Sequence, residues 1–139
     1  MKFLVGSAYF FKGLNNFTPK DIDYVIIEDN PKYYNNTMTV RGRGQDIMFF
    51  KNRSKQDFIK MSLQSKLPMV VGKFLIPEFN QYIGFTLDDL KLLQPQFDKM
   101  DKKHLYEVFI YKCYLENNNF TLTQEQLKES FEIYKQNKI

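Results

Sequence analysis

The spacing of apolar residues in this chain changes near residue 84. Before that point they form short runs that are rich in β-branched residues and end at Gly, Pro or Asn, which is typical of strands. After it they recur three and four positions apart, which is typical of helices. The sequence therefore predicts an α+β fold. A small mixed β-sheet core over residues 1–83 carries a C-terminal helical extension over residues 84–139, packed on it in a single domain.

The predicted sheet has short strands connected by turns and helices. The strands are Lys2–Val5, Asp21–Glu28, Thr37–Arg41, Asp46–Lys51 and Met69–Ile76. A tight hairpin at residues 42–45 (Gly-Arg-Gly-Gln) joins the third strand to the fourth. Short helices are expected over Ala8–Leu14 and over about eleven residues after the capping residue Ser54.

Two capping signals mark helix starts in the second half. Thr86 is followed three residues later by Asp89, and Thr123 is followed by Gln126 at the same spacing. Between them, Lys102–Glu116 is apolar on nearly every side, which is typical of a buried helix. We therefore expect this helix to be the most buried one, packed between the sheet and the last helix.

Three tyrosines of that helix constrain its surroundings. Tyr106, Tyr111 and Tyr114 cannot all face inward unpaired, because a buried hydroxyl without a partner costs about 1–3 kcal/mol. At least one of them is expected to reach a polar partner or the surface. The only histidine, His104, lies at the start of the same helix and is expected to be structural.

Composition excludes several classes of protein. The length of 139 residues is that of one domain, and the 17% aromatic content argues against a disordered chain. A single cysteine, Cys113, can form neither an internal disulfide nor a cysteine-based zinc site. No run approaches the roughly 18 apolar residues of a membrane span, so we expect a cytoplasmic protein with no membrane partner. The net charge of +4 favours anionic partners without identifying one.

The residues best suited to chemistry lie around the first two strands. Gly6-Ser7 ends the first strand, and Asp21 and Asp23 begin the second. Side chains alternate along a strand, so both carboxylates are expected on one face, about 6.6 Å apart along the backbone. Carboxylates are the ligands that Mg²⁺ prefers, usually together with substrate phosphates. Gly6 lets a phosphate approach its backbone, and Ser7 offers a hydroxyl to phosphate oxygens.

A family resemblance follows from the order of these residues. Residues 4–27, LVGSAYFFKGLNNFTPKDIDYVII, resemble the signature of the DNA polymerase beta-like nucleotidyltransferase superfamily. That signature is a Gly-Ser at a strand end, a short helix, and an acidic-x-acidic pair on the next strand, with a third carboxylate on an adjacent strand. Asp46 in GQDIMFF is similar to the third carboxylate. The resemblance covers roughly residues 3–50 and is closest to the small, single-domain members.

The resemblance implies a function and a set of site residues. Asp21, Asp23 and Asp46 would bind two Mg²⁺ ions, with Mn²⁺ as the alternative metal, and Gly6 and Ser7 would bind the triphosphate. The implied reaction transfers a nucleoside monophosphate from a nucleoside triphosphate to an acceptor hydroxyl. The acceptor is a small molecule, an RNA or a protein, and the sequence does not choose among them.

The arginines of the predicted hairpin have two interpretations. Arg41 and Arg43 flank Gly42 beside Asp46, where guanidinium groups would bind nucleotide phosphates. They are equally typical of a solvated hairpin tip.

Other interpretations involve no catalysis. Gly6-Ser7 could be a simple turn, Asp21 and Asp23 could be solvated residues at a strand start, and Asp46 could be a turn former. Lys20 also stands where many members of the family carry a serine before the acidic pair. The alternative function is a catalytically silent nucleotidyltransferase-like binding or assembly module, such as a phage accessory protein or a toxin–antitoxin component. A basic nucleic-acid-binding protein ranks last, because the basic residues are spread along the chain rather than clustered on one face.

Overall fold

The computed structural model describes residues 2–14, 17–19, 22–29, 37–42, 44–64, 80–81 and 83–137. The chain divides into two compact units, Met1–Ser54 and Lys55–Ile139. The first unit contains β1 (Lys2–Val5), α1 (Gly6–Phe10), β2 (Ile22–Glu28), β3 (Thr37–Gly42) and β4 (Gln45–Lys51). In the second, the α-helices are α2 (Lys55–Gln64), α3 (Leu87–Leu92), α4 (Leu105–Asn117) and α5 (Gln124–Gln136). The predicted mixture of strands and helices is confirmed, and the predicted strand Met69–Ile76 lies outside the described residues.

The strands of the first unit form one mixed sheet in the order β1-β2-β4-β3. β1 is antiparallel to β2, β2 is parallel to β4, and β4 is antiparallel to β3. The predicted hairpin between β3 and β4 is confirmed, with Gly42 paired to Gln45. β3 thus lies at the edge of the sheet beyond β4, although it comes before β4 in the chain.

One face of this sheet supplies the core of the first unit. Its buried members are Phe3, Val5, Val25, Ile27 and Phe50, which the strand registers place on a common side. Helix α1 packs against β1 and β2 and buries Ala8. The helix is shorter than the predicted Ala8–Leu14, because it ends where Phe11 leaves the helical conformation and its side chain becomes fully buried.

Both predicted capping boxes are present in the second unit. The Thr86 hydroxyl accepts a hydrogen bond from the Asp89 amide, and the Asp89 carboxylate accepts one from the Thr86 amide, at the start of α3. Thr123 and Gln126 make the same pair of bonds at the start of α5. These reciprocal bonds satisfy amides that lack intrahelical partners, which explains why the helices begin where they do.

Helix α4 carries the largest number of buried residues among the described helices, as predicted. It is preceded by a 3₁₀ turn over Lys102–His104, ends at the left-handed residue Asn118, and packs against α5. Seven of its residues are buried, with Ile110 and Tyr111 fully so, whereas Lys112 and Glu116 are exposed. These contacts make α4 the centre of the second unit.

A buried carboxylate is the hydrogen-bond partner of two of the three tyrosine hydroxyls. Glu107 is 2% exposed and accepts hydrogen bonds from Tyr106 at 3.0 Å and from Tyr111 at 2.7 Å. His104 Nδ1 lies 3.3 Å from the same carboxylate. Burial and the neighbouring Glu107 raise the pKa of Tyr111 well above its usual value, so Tyr111 stays protonated and donates. The expectation of a polar partner is therefore confirmed, and the partner is on the same helix.

Candidate functional site

The site begins at the junction of β1 and α1. Gly6 is buried and has φ +71°, a left-handed conformation that favours glycine. A Cβ atom at this position would lie 2.9 Å from the Asp23 Oδ2 atom, so the Gly6 backbone lies directly against that carboxylate. The adjacent Ser7 is half-buried, and its carbonyl accepts the Phe11 amide at 2.9 Å. The Gly-Ser pair of the sequence motif thus adjoins one of its aspartates.

Asp23 and Asp46 are cross-strand partners. Asp23 lies on β2 and Asp46 on β4, and their Cα atoms are paired in the parallel register of these two strands. Neighbouring strands are about 4.8 Å apart, and paired residues of parallel strands point to the same face. The prediction that Asp46 lies on a strand next to that of Asp23, in a mixed sheet, is confirmed.

The two carboxylates lie at one end of the apolar face of the sheet. Asp23 pairs with Val5 on β1, and the next residues on the same face are Val25 on β2 and Met48 on β4. Both aspartates are half-buried. Two carboxylates side by side at the edge of an apolar layer repel each other and favour a cation or another positive partner.

The remaining predicted site residues are partly outside the described structure. Asp21 and Arg43 lie outside the described residues, and so their predicted roles stay predictions. Arg41 belongs to β3, where its backbone is paired in register with Asp46. Within the ranges described, which leave out Asp21, no group of three His, Cys, Asp or Glu residues is arranged to hold a metal ion.

Two residues with notable polar contacts, one in each unit, were not singled out from the sequence. Gly44 has φ +72°, and its carbonyl accepts a hydrogen bond from the Ile22 amide at 2.9 Å, at the start of both β2 and β4. Its place in a Gly-rich hairpin was the available signal. Glu107 was missed because a single acid in an apolar helix has no distinctive spacing, although Tyr111 four residues later was a usable sign.

A groove of about 570 Å³ lies in the second unit. Its lining comes from α4 and from the start of the 3₁₀ helix Gln94–Lys99: Gln94, Phe109, Lys112, Cys113, Leu115 and Glu116. The groove carries no cluster of groups suited to acid–base or metal chemistry. None of the helices described is long and apolar enough to cross a lipid bilayer.

Comparisons with known proteins identify no relative. No protein-family model matches the chain, and neither the curated proteins nor the solved structures include a significant match. The interpretation of the site therefore depends on its own geometry and on the resemblance of the motif.

Proposed function

We propose that this protein is a metal-dependent nucleotidyltransferase that transfers a nucleoside monophosphate from a nucleoside triphosphate to an acceptor hydroxyl. The observation that supports it is the register of β2 and β4, which pairs Asp23 with Asp46 on one face of the sheet. The backbone of Gly6 against Asp23 adds the phosphate-binding part of the motif to the acidic part.

The residues fit a hard divalent cation. Asp23 and Asp46 offer adjacent carboxylate oxygens, the ligand type that Mg²⁺ and Mn²⁺ prefer, and Asp21 would add a third carboxylate by the motif. When bound, Mg²⁺ supplies charge neutralisation for the triphosphate and lowers the pKa of the acceptor hydroxyl. The half-buried location of both aspartates makes a bound cation more favourable than it would be on an open surface.

The chain's own groups would orient the nucleotide. Gly6 has no side chain to block a phosphate next to Asp23, and the Ser7 hydroxyl would donate to a phosphate oxygen. In the transfer, the acceptor hydroxyl gives up its proton to water, and a bond forms between its oxygen and the α-phosphorus. The bond from that phosphorus to the bridging oxygen breaks, and pyrophosphate leaves. Arg41 and Arg43 would bind phosphate oxygens by the same proposal.

Calorimetric titration with each nucleoside triphosphate, with Mg²⁺ and with EDTA, tests the proposal. We expect binding of at least one nucleotide only with Mg²⁺, and loss of that binding in Asp23→Asn and Asp46→Asn. Asp98→Asn, an exposed aspartate of the second unit, is the control and should bind as the wild type does. Equal affinity in EDTA would contradict the proposal. Failure of the wild type to bind any nucleotide would support the catalytically silent module instead.

A further inference from the structure

We propose that Gly44 is a positioning residue that keeps Asp46 opposite Asp23 by holding the start of β4 in register with β2. This inference deepens the proposed function, since it assigns to the hairpin turn the placement of one of the two carboxylates. Gly44 has no side chain, so its proposed role is performed by the backbone of the turn.

The hydrogen bond from the Ile22 amide to the Gly44 carbonyl is the first link between the two strands. Ile22 is paired with Gln45, and the next pair along the strands is Asp23 with Asp46. The bond is 2.9 Å long and joins the residue directly before Asp23 on β2 to the residue two positions before Asp46 on the β4 side. The turn is therefore attached to β2 at the end of the sheet where the carboxylates lie.

The conformation of Gly44 sets the direction of that carbonyl. Gly44 is exposed and has φ +72°, a backbone conformation that favours glycine. A residue with a Cβ atom is disfavoured in this left-handed region, except that Asn tolerates it. Replacement by Ala is expected to turn the carbonyl away from the Ile22 amide as the turn relaxes.

A change of register at this point would remove the carboxylate pair altogether. Successive side chains of a strand point to opposite faces, so a slip by one residue puts Gln45 or Ile47 opposite Asp23. Asp46 would then point to the other face of the sheet. The remaining pairs of β4 contain apolar residues on both faces, which makes the strand tolerant of such a slip once the first bond is lost.

Disulfide formation measures the register without reference to metal or nucleotide. In a Cys113→Ser background, Asp23→Cys combined with Asp46→Cys should oxidise readily, because paired residues of neighbouring strands lie within the roughly 4.4–6.8 Å between Cα atoms that a disulfide needs. Asp23→Cys combined with Gln45→Cys is the matched pair and should oxidise slowly, since Gln45 points to the other face. The readout is the loss of free thiols by mass spectrometry.

Adding Gly44→Ala should lower the rate of the 23–46 disulfide at least fivefold and raise that of the 23–45 disulfide. Gly44→Asn should leave both rates near the wild-type values. Gly84→Ala is the control, because Gly84 has φ +73° and so carries the same backbone strain, while a Cβ atom there meets no atom within 4 Å. Gly84→Ala should leave both rates unchanged.

The outcomes separate this inference from the proposed function. Unchanged 23–46 and 23–45 rates in Gly44→Ala would overturn the inference, as would a folded Gly44→Asn protein that forms the 23–45 disulfide as fast as the 23–46 disulfide. The Asn variant keeps the test decisive if Gly44→Ala unfolds.

In the chain with native aspartates, Gly44→Ala should weaken Mn²⁺ binding at least tenfold, and Gly44→Asn should restore it. A wild type that binds no Mn²⁺ but whose disulfide rates respond to Gly44→Ala would refute the proposed metal site and support the positioning role.

Discussion

Gly6 lies with its backbone against the carboxylate of Asp23, and its conformation is one that glycine adopts without cost. Two separate penalties therefore apply to any larger residue at this position: a left-handed backbone at φ +71°, and a contact of 2.9 Å between the new Cβ atom and Asp23 Oδ2. The contact is with a carboxylate next to a second acid, Asp46, so the side chain that must move is one of the two proposed ligands.

Gly6→Ala is expected to lower the free energy of unfolding by more than Gly84→Ala does. Both substitutions carry the backbone penalty of roughly 1–2 kcal/mol, but a Cβ atom at Gly84 meets no atom within 4 Å. Urea denaturation monitored by circular dichroism gives the difference. In an Asp23→Ala background the excess cost of Gly6→Ala should disappear, because the contact is gone. If Gly6→Ala still lowers the free energy of unfolding by more than Gly84→Ala does in that background, the assigned contact between position 6 and Asp23 is wrong.

At the scale of elements, the start of α3 combines a capping box with an ion pair. Asp89 accepts hydrogen bonds from the Thr86 amide and hydroxyl, and Lys55 Nζ lies 3.1 Å from the same carboxylate. Burial by itself raises the pKa of Asp89, but the Thr86 and Lys55 contacts together outweigh it and hold the pKa below its usual value. The charged form of Asp89 is thus the form that stabilises the first turn of the helix and its link to α2.

The stabilisation by Asp89 is expected to depend on pH. A carboxylate with a lowered pKa contributes fully above its unfolded-state pKa of about 4 and loses that contribution as the pH falls through its folded-state pKa. At pH 6, Asp89→Asn should therefore destabilise the protein by about 1 kcal/mol, and the difference from wild type should shrink below pH 4. Chemical denaturation at several pH values measures it.

Asp88→Asn is the matched control for this prediction. Its side chain is 91% exposed and forms a 3.7 Å ion pair with the exposed Lys91. Such surface pairs contribute little, so the variant should differ from wild type by less than about 0.5 kcal/mol at every pH. An Asp89→Asn effect that stays constant from pH 6 to pH 3 would show that its charge is not the stabilising feature.

Across the whole molecule, each compact unit has its own well-buried interior. In Met1–Ser54 the interior strands β2 and β4 are hydrogen-bonded on both sides, whereas β1 is an edge strand. In Lys55–Ile139, α4 forms the centre, and its residues Ile110 and Tyr111 are fully buried. Most residues of α5, by contrast, are exposed to solvent. Local stability follows burial and hydrogen bonding, so it should be concentrated at two places along the chain.

Hydrogen exchange should reveal these two places. The amides of β2, β4 and α4 are expected to exchange more slowly than those of β1 and α5, because opening them exposes more apolar surface and breaks more backbone hydrogen bonds. Mass spectrometry of peptides, or NMR of single amides, can compare β1 with β2 within one unit and α5 with α4 within the other. Equal protection of β1 and β2 would mean that the edge of the sheet is covered by something more than the described strands.

Much of the local structure could be predicted from the sequence, because its signals are local. The β-branched run of β2, the Gly-rich hairpin between β3 and β4, and both capping boxes each depend on residues within a few positions of one another. The presence of apolar residues on nearly every side of α4 likewise predicted that this helix is buried. The limits of α1 were less predictable, since the helix ends where the burial of Phe11 overrides its own helical pattern.

The tertiary structure alone decided which strands are neighbours. Nothing local to β2 or β4 requires them to be parallel partners, and the intervening β3 lies on the far side of β4. The pairing of Asp23 with Asp46 follows from that order and from the register of β2 with β4, which residues close to either aspartate in sequence do not determine. The burial of Glu107 was decided in the same way, because packing around α4 buries two tyrosine hydroxyls together with the carboxylate that accepts their hydrogen bonds. The sequence by itself determined which segments are strands and helices, and the burial of apolar surface between distant segments determined which of their polar groups meet.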